Sequence, residues 1–254
     1  MEQQLSQTYK IVDLCLLAGK IMLQSGGETY RVEDTMTRIA NAFGIYGSHC
    51  FVTPTGIIFS IDGVEPTKLV RIVERSTDLK KVTVVNSISR KIATGELQLD
   101  EAYEKLKEAE KADYKFSIWI QIAAASLASS CFLIMFQGQW KDFIPALITG
   151  GIGYTSLLYL DRLVQIRFFA EFLSAFIMGL VAALFVRLGI GTQLDKIIIG
   201  SVMPLVPGLL ITNAIRDLMA GHLVAGISKG AEAFLTAFAI GAGIAVVLSF
   251  KLFV

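Results

Sequence analysis

Charge is scarce in this chain and unevenly shared. Of 254 residues only 18% are charged and 54% are hydrophobic, whereas an average soluble domain is about 25% charged and about 45–50% apolar. Residues 1–115 hold 15 basic and 16 acidic side chains, and the longer stretch 116–254 holds 8 and 6. That split predicts a soluble domain over 1–115 followed by a membrane domain over 116–254. A net charge of +1, with no run of lysine and arginine, argues against nucleic acid as a partner. Cysteine is also sparse. The three residues are odd in number and match no zinc or redox spacing. Cys15, Cys50 and Cys131 read as small buried hydrophobes in a reducing compartment. No signal peptide is visible in the polar start MEQQLSQTYK, so the N-terminal domain is expected in the cytoplasm. Walker, nucleophile-elbow and metal-ligand motifs are missing too, so no ATPase, catalytic residue, cofactor or metal is expected.

What is present begins with helical periodicity. Residues 5–24 carry Ile11, Leu14, Cys15, Ala18, Ile21 and Met22 on one face, and Gly26-Gly27 stops them. A second helix is predicted over 29–43, with Val32, Met36, Ile39, Ala40 and Phe43 in register. Glu28, Glu33 and Asp34 suit the positive end of its dipole. The period then changes. Residues 49–53, 57–61 and 69–73 are short, β-branched and bounded by turn residues, predicting three strands. Helices resume over 78–93 and 100–111, the latter with Glu101 one turn from Lys105. The expected result is an α+β domain.

Five long apolar segments follow: 116–136, 143–160, 168–188, 197–212 and 234–254. Four are near the roughly 20 residues a bilayer-crossing helix needs, and the fourth is short. With the N-domain inside, the C-terminus falls outside. Inner flanks then carry Lys111, Lys115, Arg162, Arg167, Arg216 and Lys229; outer flanks carry Lys141, Arg187, Lys196 and Lys251. That bias agrees weakly with the positive-inside rule. Glu171 and Glu232 read as interfacial carboxylates opening the third and fifth spans, and Asp161-Arg162 as a solvated turn. Small residues, including Ser126, Ser129, Gly150, Gly241 and Gly243, suit close helix packing in lipid. The Gly226-x-x-x-Gly230 spacing permits another backbone to approach. The stretch 221–233 is expected to lie along the inner interface or dip back into the protein.

The fourth segment is the unusual one. Pro204, Pro207 and Gly208 interrupt it, since each proline removes a backbone donor and clashes one turn back. Thr212, Asn213, Arg216 and Asp217 follow within two turns. Two readings fit. In one, the broken helix and these polar groups form a substrate pathway, freed backbone groups and half-helix ends solvating a polar solute. Arg216 would then fork onto a carboxylate, and Asp217 would hold an ammonium group or a proton. In the other, the stretch is a kink running into a loop. Glu28, Arg31, Glu33 and Asp34 are candidates for a ligand site or for coupling the two domains. Ser48, His49, Cys50 and Asp62 hold the residue types of a hydrolase, but adjacent strand residues point to opposite faces, which opposes a converging triad.

Two segments carry a family resemblance. LQSGGETYRVEDTMTRIANAFG (residues 23–44) and PGLLITNAIRDLMAGHLVAGISKGAEAFLTAFAIGAGIA (residues 207–245) resemble the soluble-domain and membrane signatures of the N-terminal half of the threonine/serine exporter (ThrE) family. With the segments above, the expected protein is a multi-pass α-helical protein of the cytoplasmic membrane, with a cytoplasmic α+β domain and five transmembrane helices, the fourth broken. The resemblance implies threonine, serine or a small dicarboxylate such as succinate as the solute of a secondary exporter; protons are the expected coupling ion. Because no second half follows, it implies the larger subunit of a split system, needing a second-half membrane subunit within a lipid bilayer and open to higher oligomers. Rival readings are a membrane-tethered hydrolase and a non-transporting scaffold or sensor.

Overall fold

The computed structural model describes residues 2–164 and 166–249. Its contacts gather into two compact units, one of Met1–Lys115 with Leu210–Gly230, the other of Phe116–Leu209 with Ala231–Val254.

The first unit starts with two helices, α1 (Glu2–Gln24) and α2 (Thr29–Ala42). Gly26, at φ 87°, ends α1; its left-handed backbone suits glycine because no Cβ opposes it. The helices cross closely at Gly19, where a Cβ would overlap the Met36 thioether. Three strands follow, β1 (Ser48–Thr53), β2 (Gly56–Ile61) and β3 (Val64–Arg71), as an antiparallel sheet in chain order. The third strand starts earlier than the 69–73 pattern suggests. Asp62-Gly63 makes a two-residue turn, with Ile61 facing Val64 and Gly63 at φ 71°, the conformation such hairpins need. Ile57 and Phe59 face the core, while Phe51, Ile58 and Leu69, which face one another across the strands, are exposed.

Helices α3 (Leu79–Ala93) and α4 (Leu99–Lys111) complete the core with Val82, Val85, Ile88, Ile92, Ala102 and Leu106. Asp78 caps α3 by accepting from Lys81 N. Glu101 turns back into a capping box with Gln98 at the start of α4. The unit's remaining elements are α9 (Gly208–Met219) from Leu210 onward and the start of α10 (Leu223–Ser249). Gly221, at φ 87°, turns between them. The Gly226–Gly230 spacing is used here. A Cβ on Gly226 would sit 2.6 Å from Leu218 Cγ and 3.0 Å from Ala214 O, so α10 lies directly on α9.

The second unit is helical: α5 (Ile118–Met135), α6 (Phe143–Val164), α7 (Arg167–Arg187), α8 (Leu194–Val202) and the rest of α10. Leu133, Ala146, Ala175, Met178, Ala182 and Ile197 form its centre. Buried Asp142 accepts from Thr192 N, Thr192 Oγ1 and Gln193 N at 2.6, 2.9 and 3.1 Å, fixing the connection into α8. Among the described residues four helices are long and apolar enough to cross a membrane, and the bent pair Leu194–Leu205 and Gly208–Met219 makes a fifth if counted as one span. The chain is thus a mostly helical multi-pass membrane protein.

Some sequence expectations need correction. The helix that holds the fifth apolar segment starts at Leu223, ahead of residue 234, because Ser228, Lys229 and Glu232 occupy a helix that the small residues hold against α9; the segment's expected end at residue 254, and Lys251, lie outside the described residues. Glu232 is therefore inside α10 rather than opening it. Asp161 and Arg162 belong to the last turn of α6. Glu171 is 4% exposed and accepts from Thr236 Oγ1, so it is a buried group of the α7–α10 seam.

Candidate functional site

The break in the fourth segment is local and fully built. Met203–Leu205 forms a single 3-10 turn, Val206 is extended, and α9 restarts at Gly208, bent 61° from the preceding half. Pro204 deprives Gly200 O of its helical donor, and Pro207 does the same to Met203 O. Both carbonyls are re-satisfied, Gly200 O by Met203 N and Met203 O by Val206 N. Ser201 O accepts from Ser129 Oγ of α5 at 3.3 Å. Gly208 N donates to Val206 O at 2.8 Å. These groups are spoken for in this conformation, so the break acts as a shaped joint. Pro207 is buried, Pro204 partly so, and Gly208 and Thr212 are exposed.

Beyond the joint, α9 carries a polar face that meets the loop between α1 and α2. Asn213 Nδ2 donates to Gly26 O at 3.0 Å. The Arg216 guanidinium meets Glu28 Oε1 at 2.6 Å, and Arg31 holds the other oxygen at 3.0 Å. Asp217 reaches furthest. Its Oδ1 accepts from Thr29 N at 2.9 Å and more weakly from Tyr30 N at 3.4 Å, and its Oδ2 takes Lys229 Nζ at 2.7 Å. Lys229 also donates to Thr29 Oγ1 at 3.0 Å. Helix α2 has Glu28 at its N-cap position without a side-chain cap bond. The capping carboxylate is supplied instead by Asp217, 188 positions along the chain. A carboxylate there meets unpaired amides and the positive dipole end.

Burial separates the two ion pairs. The Asp217 and Lys229 side chains are 0% and 6% exposed. Arg216 is 54% exposed over a Glu28 that is 7% exposed. Burial pushes the Glu28 carboxyl up, but its own amide together with Arg31 and Arg216 outweighs that and holds it below the usual range. Glu33 goes the other way. Burial and the nearby Asp217 charge raise it, against the opposing effects of Val52 N and His222. Val52 N donates to Glu33 Oε1 at 2.9 Å, and His222 Nδ1 stands 3.5 Å from the same oxygen. Asp34 pairs with Arg38 one turn along α2 and stands outside this cluster.

The structure brings Glu28, Arg31, Glu33, Asn213, Arg216 and Asp217 into one charged seam. It adds His222, and also Gly26, Thr29 and Lys229, which the sequence presents as a helix stop, an ordinary helical position and a flank charge. A lone lysine within an apolar glycine-rich helix was the available signal for Lys229. The triad residues do not converge. His49 and Asp62 form an exposed pair at 3.1 Å, while Ser48 and Cys50 point to the other side of β1. Burial lifts the Cys50 thiol to about 12, leaving it a poor nucleophile. Among the described residues no group of three or more His, Cys, Asp or Glu side chains could hold a metal ion.

Comparison with known proteins agrees over nearly the whole chain. The profile of a family described as "putative threonine/serine exporter" matches residues 13–251. A probable threonine/serine exporter of Mycobacterium tuberculosis is 25% identical over 91% of this chain and 44% of its own length. A threonine/serine exporter of Corynebacterium glutamicum is 23% identical over 94% of this chain and 51% of its own. The chain thus spans about half the length of these two relatives. A probable succinate transporter subunit, YjjP, of Klebsiella aerogenes is 24% identical over 98% of this chain and 97% of its own. No solved structure matches the chain.

Proposed function

Because the chain belongs to the threonine/serine exporter (ThrE) family, a family of transporters rather than enzymes, we propose that it is one subunit of a secondary-active exporter of small polar metabolites. The solute class is threonine/serine-type amino acids or small dicarboxylates such as succinate, the solutes named for its relatives, and the coupling ion is the proton. Relatives near twice this length carry the matched region as one part, and a relative of the same length is named a subunit. A second-half membrane subunit is therefore the proposed partner. Residues 1–115 form a cytoplasmic α+β domain, residues 116–254 contribute five spans in the inner membrane, and the C-terminus lies outside.

One observation carries the reading. The polar face that follows the broken helix is locked to the N-terminal motif by the buried Asp217–Lys229 pair capping α2. A helix break alone makes a kink; a break whose outgoing half is held by charges can be released and re-formed. The Glu28 carboxylate on Arg216, and the Gly26 carbonyl on Asn213, are chemically the groups that a solute carboxylate and a solute carbonyl would replace. Thr212, Asn213, Arg216 and Asp217 beyond the joint at Pro204, Pro207 and Gly208 line the proposed pathway, and Glu28, Arg31 and Glu33 couple it to the cytoplasmic domain.

The test is reconstitution into liposomes with and without a second-half protein, scored by flux of threonine, serine and succinate under an imposed proton gradient. Flux requiring both chains and falling sharply in Arg216→Lys, which keeps the charge but loses the fork, supports the reading. Robust flux from the single chain removes the partner, and unchanged flux in assembled Arg216→Lys removes the site. A cysteine at Gly63 should react only in opened cells.

A further inference from the structure

His222 and Glu33 meet where three elements converge. His222 begins the turn into α10 and its backbone N–H donates to Asp217 O at 2.9 Å. Glu33 lies on α2, and its Oε1 already accepts from Val52 N of β1. The imidazole Nδ1 stands 3.5 Å from that oxygen, with the side chains 24% and 20% exposed. This is the outer limit of a hydrogen bond, so the contact is present but not closed. The groups that face Glu33 are His222, Asp217 from α9 and the Cys50 thiol from β1. Lys229 from α10 is engaged with Asp217 on the far side, and Arg31 and Arg216 with Glu28.

We infer that His222 and Glu33 form a proton-binding site that sets how tightly the α9–α10 turn is held to α2 and β1. Imidazole is the side chain whose ordinary charge change falls between about pH 5 and 8. A proton taken from water onto the ring gives an imidazolium facing a carboxylate, and the 3.5 Å gap closes into a charge-assisted hydrogen bond. Returning the proton to water leaves a neutral ring beside an ionised, partly buried carboxylate next to Asp217, and the hold loosens. No other bond changes. The ion pair Asp217–Lys229 is the fixed half of the attachment, and His222–Glu33 is the half that answers to pH. Its role in export rests on the exporter reading proposed above; its existence as a proton site does not.

The imidazole facing Glu33 can be removed by His222→Gln while the chain's other histidine, His49, is left in place. Full-length protein carrying carbon-13 in its glutamate carboxyls is titrated by NMR in detergent, with and without His222→Gln. His222 opposes the rise that burial gives the Glu33 carboxyl, so the expected result is a Glu33 midpoint that moves up when the ring is removed. An unchanged midpoint overturns the site. His222→Gln is also measured by thermal unfolding at both ends of the range from about pH 5 to 8. A smaller pH dependence than wild type supports the site, and an identical one overturns it. In liposomes holding both subunits, His222→Gln should flatten the pH profile of flux; a wild-type profile there overturns the coupling role. If wild type carries no flux at all, the exporter reading fails and the titration alone judges the proton site.

Discussion

Asp217 and Lys229 stand 2.7 Å apart with their side chains 0% and 6% exposed, and the same carboxylate caps a helix 188 positions away. Burying two charges costs several kcal/mol each unless the geometry repays it. Here both partners are repaid beyond their own attraction, Asp217 by the Thr29 amide and Lys229 by the Thr29 hydroxyl. The pair therefore fixes one arrangement of α2, α9 and α10 rather than merely adding stability. Removing one member should be worse than removing both. Asp217→Asn leaves a buried ammonium without a counter-charge, and a loss of about 3–5 kcal/mol is expected. Asp217→Asn with Lys229→Met should recover a substantial part of it. A double-mutant cycle on the unfolding midpoint of the purified chain checks this, and additive losses would mean that the two residues are not coupled.

Glu28 gives a prediction in pH. Arg31, Arg216 and its own amide hold its carboxyl below the ordinary value despite burial. A group with a lowered folded pKa contributes stability that is fully present above its unfolded pKa, near 4.5, and is lost as the pH falls through the folded value. Glu28→Gln should therefore unfold at a lower temperature than wild type at neutral pH, with the difference shrinking in acid. Melting curves across the acid range decide it; a gap independent of pH would assign Glu28 a packing role only.

Much of this was legible in sequence, for reasons that also explain the rest. Val32, Met36, Ile39 and Ala40 repeat at helical spacing and are buried on α2 as expected, because one face of that helix meets a core. The start of β3 was hidden because Pro66 discourages a strand assignment; an edge strand tolerates it, and β3 is at the edge of the sheet. The start of α10 was hidden because its glycines look like a loop until α9 is seen against them. Within the site, Arg216 and Asp217 stood out as costly charges beside a broken helix. Their partners did not, because helical spacing reports neighbours one turn away and says nothing of Glu28 or Thr29.

Two glycines two positions apart on α10 should respond in opposite ways. Open space surrounds a Cβ built on Gly241, whereas one built on Gly243 would overlap Phe172 O and lie 3.0 Å from Phe176 N of α7. Alanine is favoured over glycine within a helix by about 1 kcal/mol. Gly241→Ala should be neutral or stabilising. Gly243→Ala must push α7 and α10 apart against backbone atoms that cannot rotate away, costing about 1–3 kcal/mol. Thermal unfolding of both variants in the same detergent tests the pair. Equal behaviour would mean that the α7–α10 seam is looser than the structure shows.

The joint itself gives the last prediction. At Pro207 the chain lacks the amide that would close a helical bond to Met203 O, and Val206 N takes that carbonyl at 3.2 Å in a tighter turn. At Pro204 the same exchange puts Met203 N on Gly200 O. Each proline thus keeps a 3-10 turn where the flanking sequence, apolar and helix-permitting, would otherwise continue α8 into α9. Pro207→Ala restores the donor and removes the steric clash, a change worth about 3 kcal/mol in favour of a continuous helix. Straightening would carry Asn213, Arg216 and Asp217 to new angles about the helix axis, away from Gly26, Glu28 and Thr29. The charged seam opposes this, so the variant should assemble while the two tendencies compete. Solute flux should fall severely at normal expression, and a cysteine placed at Thr212 should change its rate of modification. Protease sensitivity of the α1–α2 loop should rise as Asp217 leaves the end of α2. If assembled Pro207→Ala keeps its flux, its labelling rate and its protease pattern, the break is a kink that packing tolerates, and the joint has no part in transport.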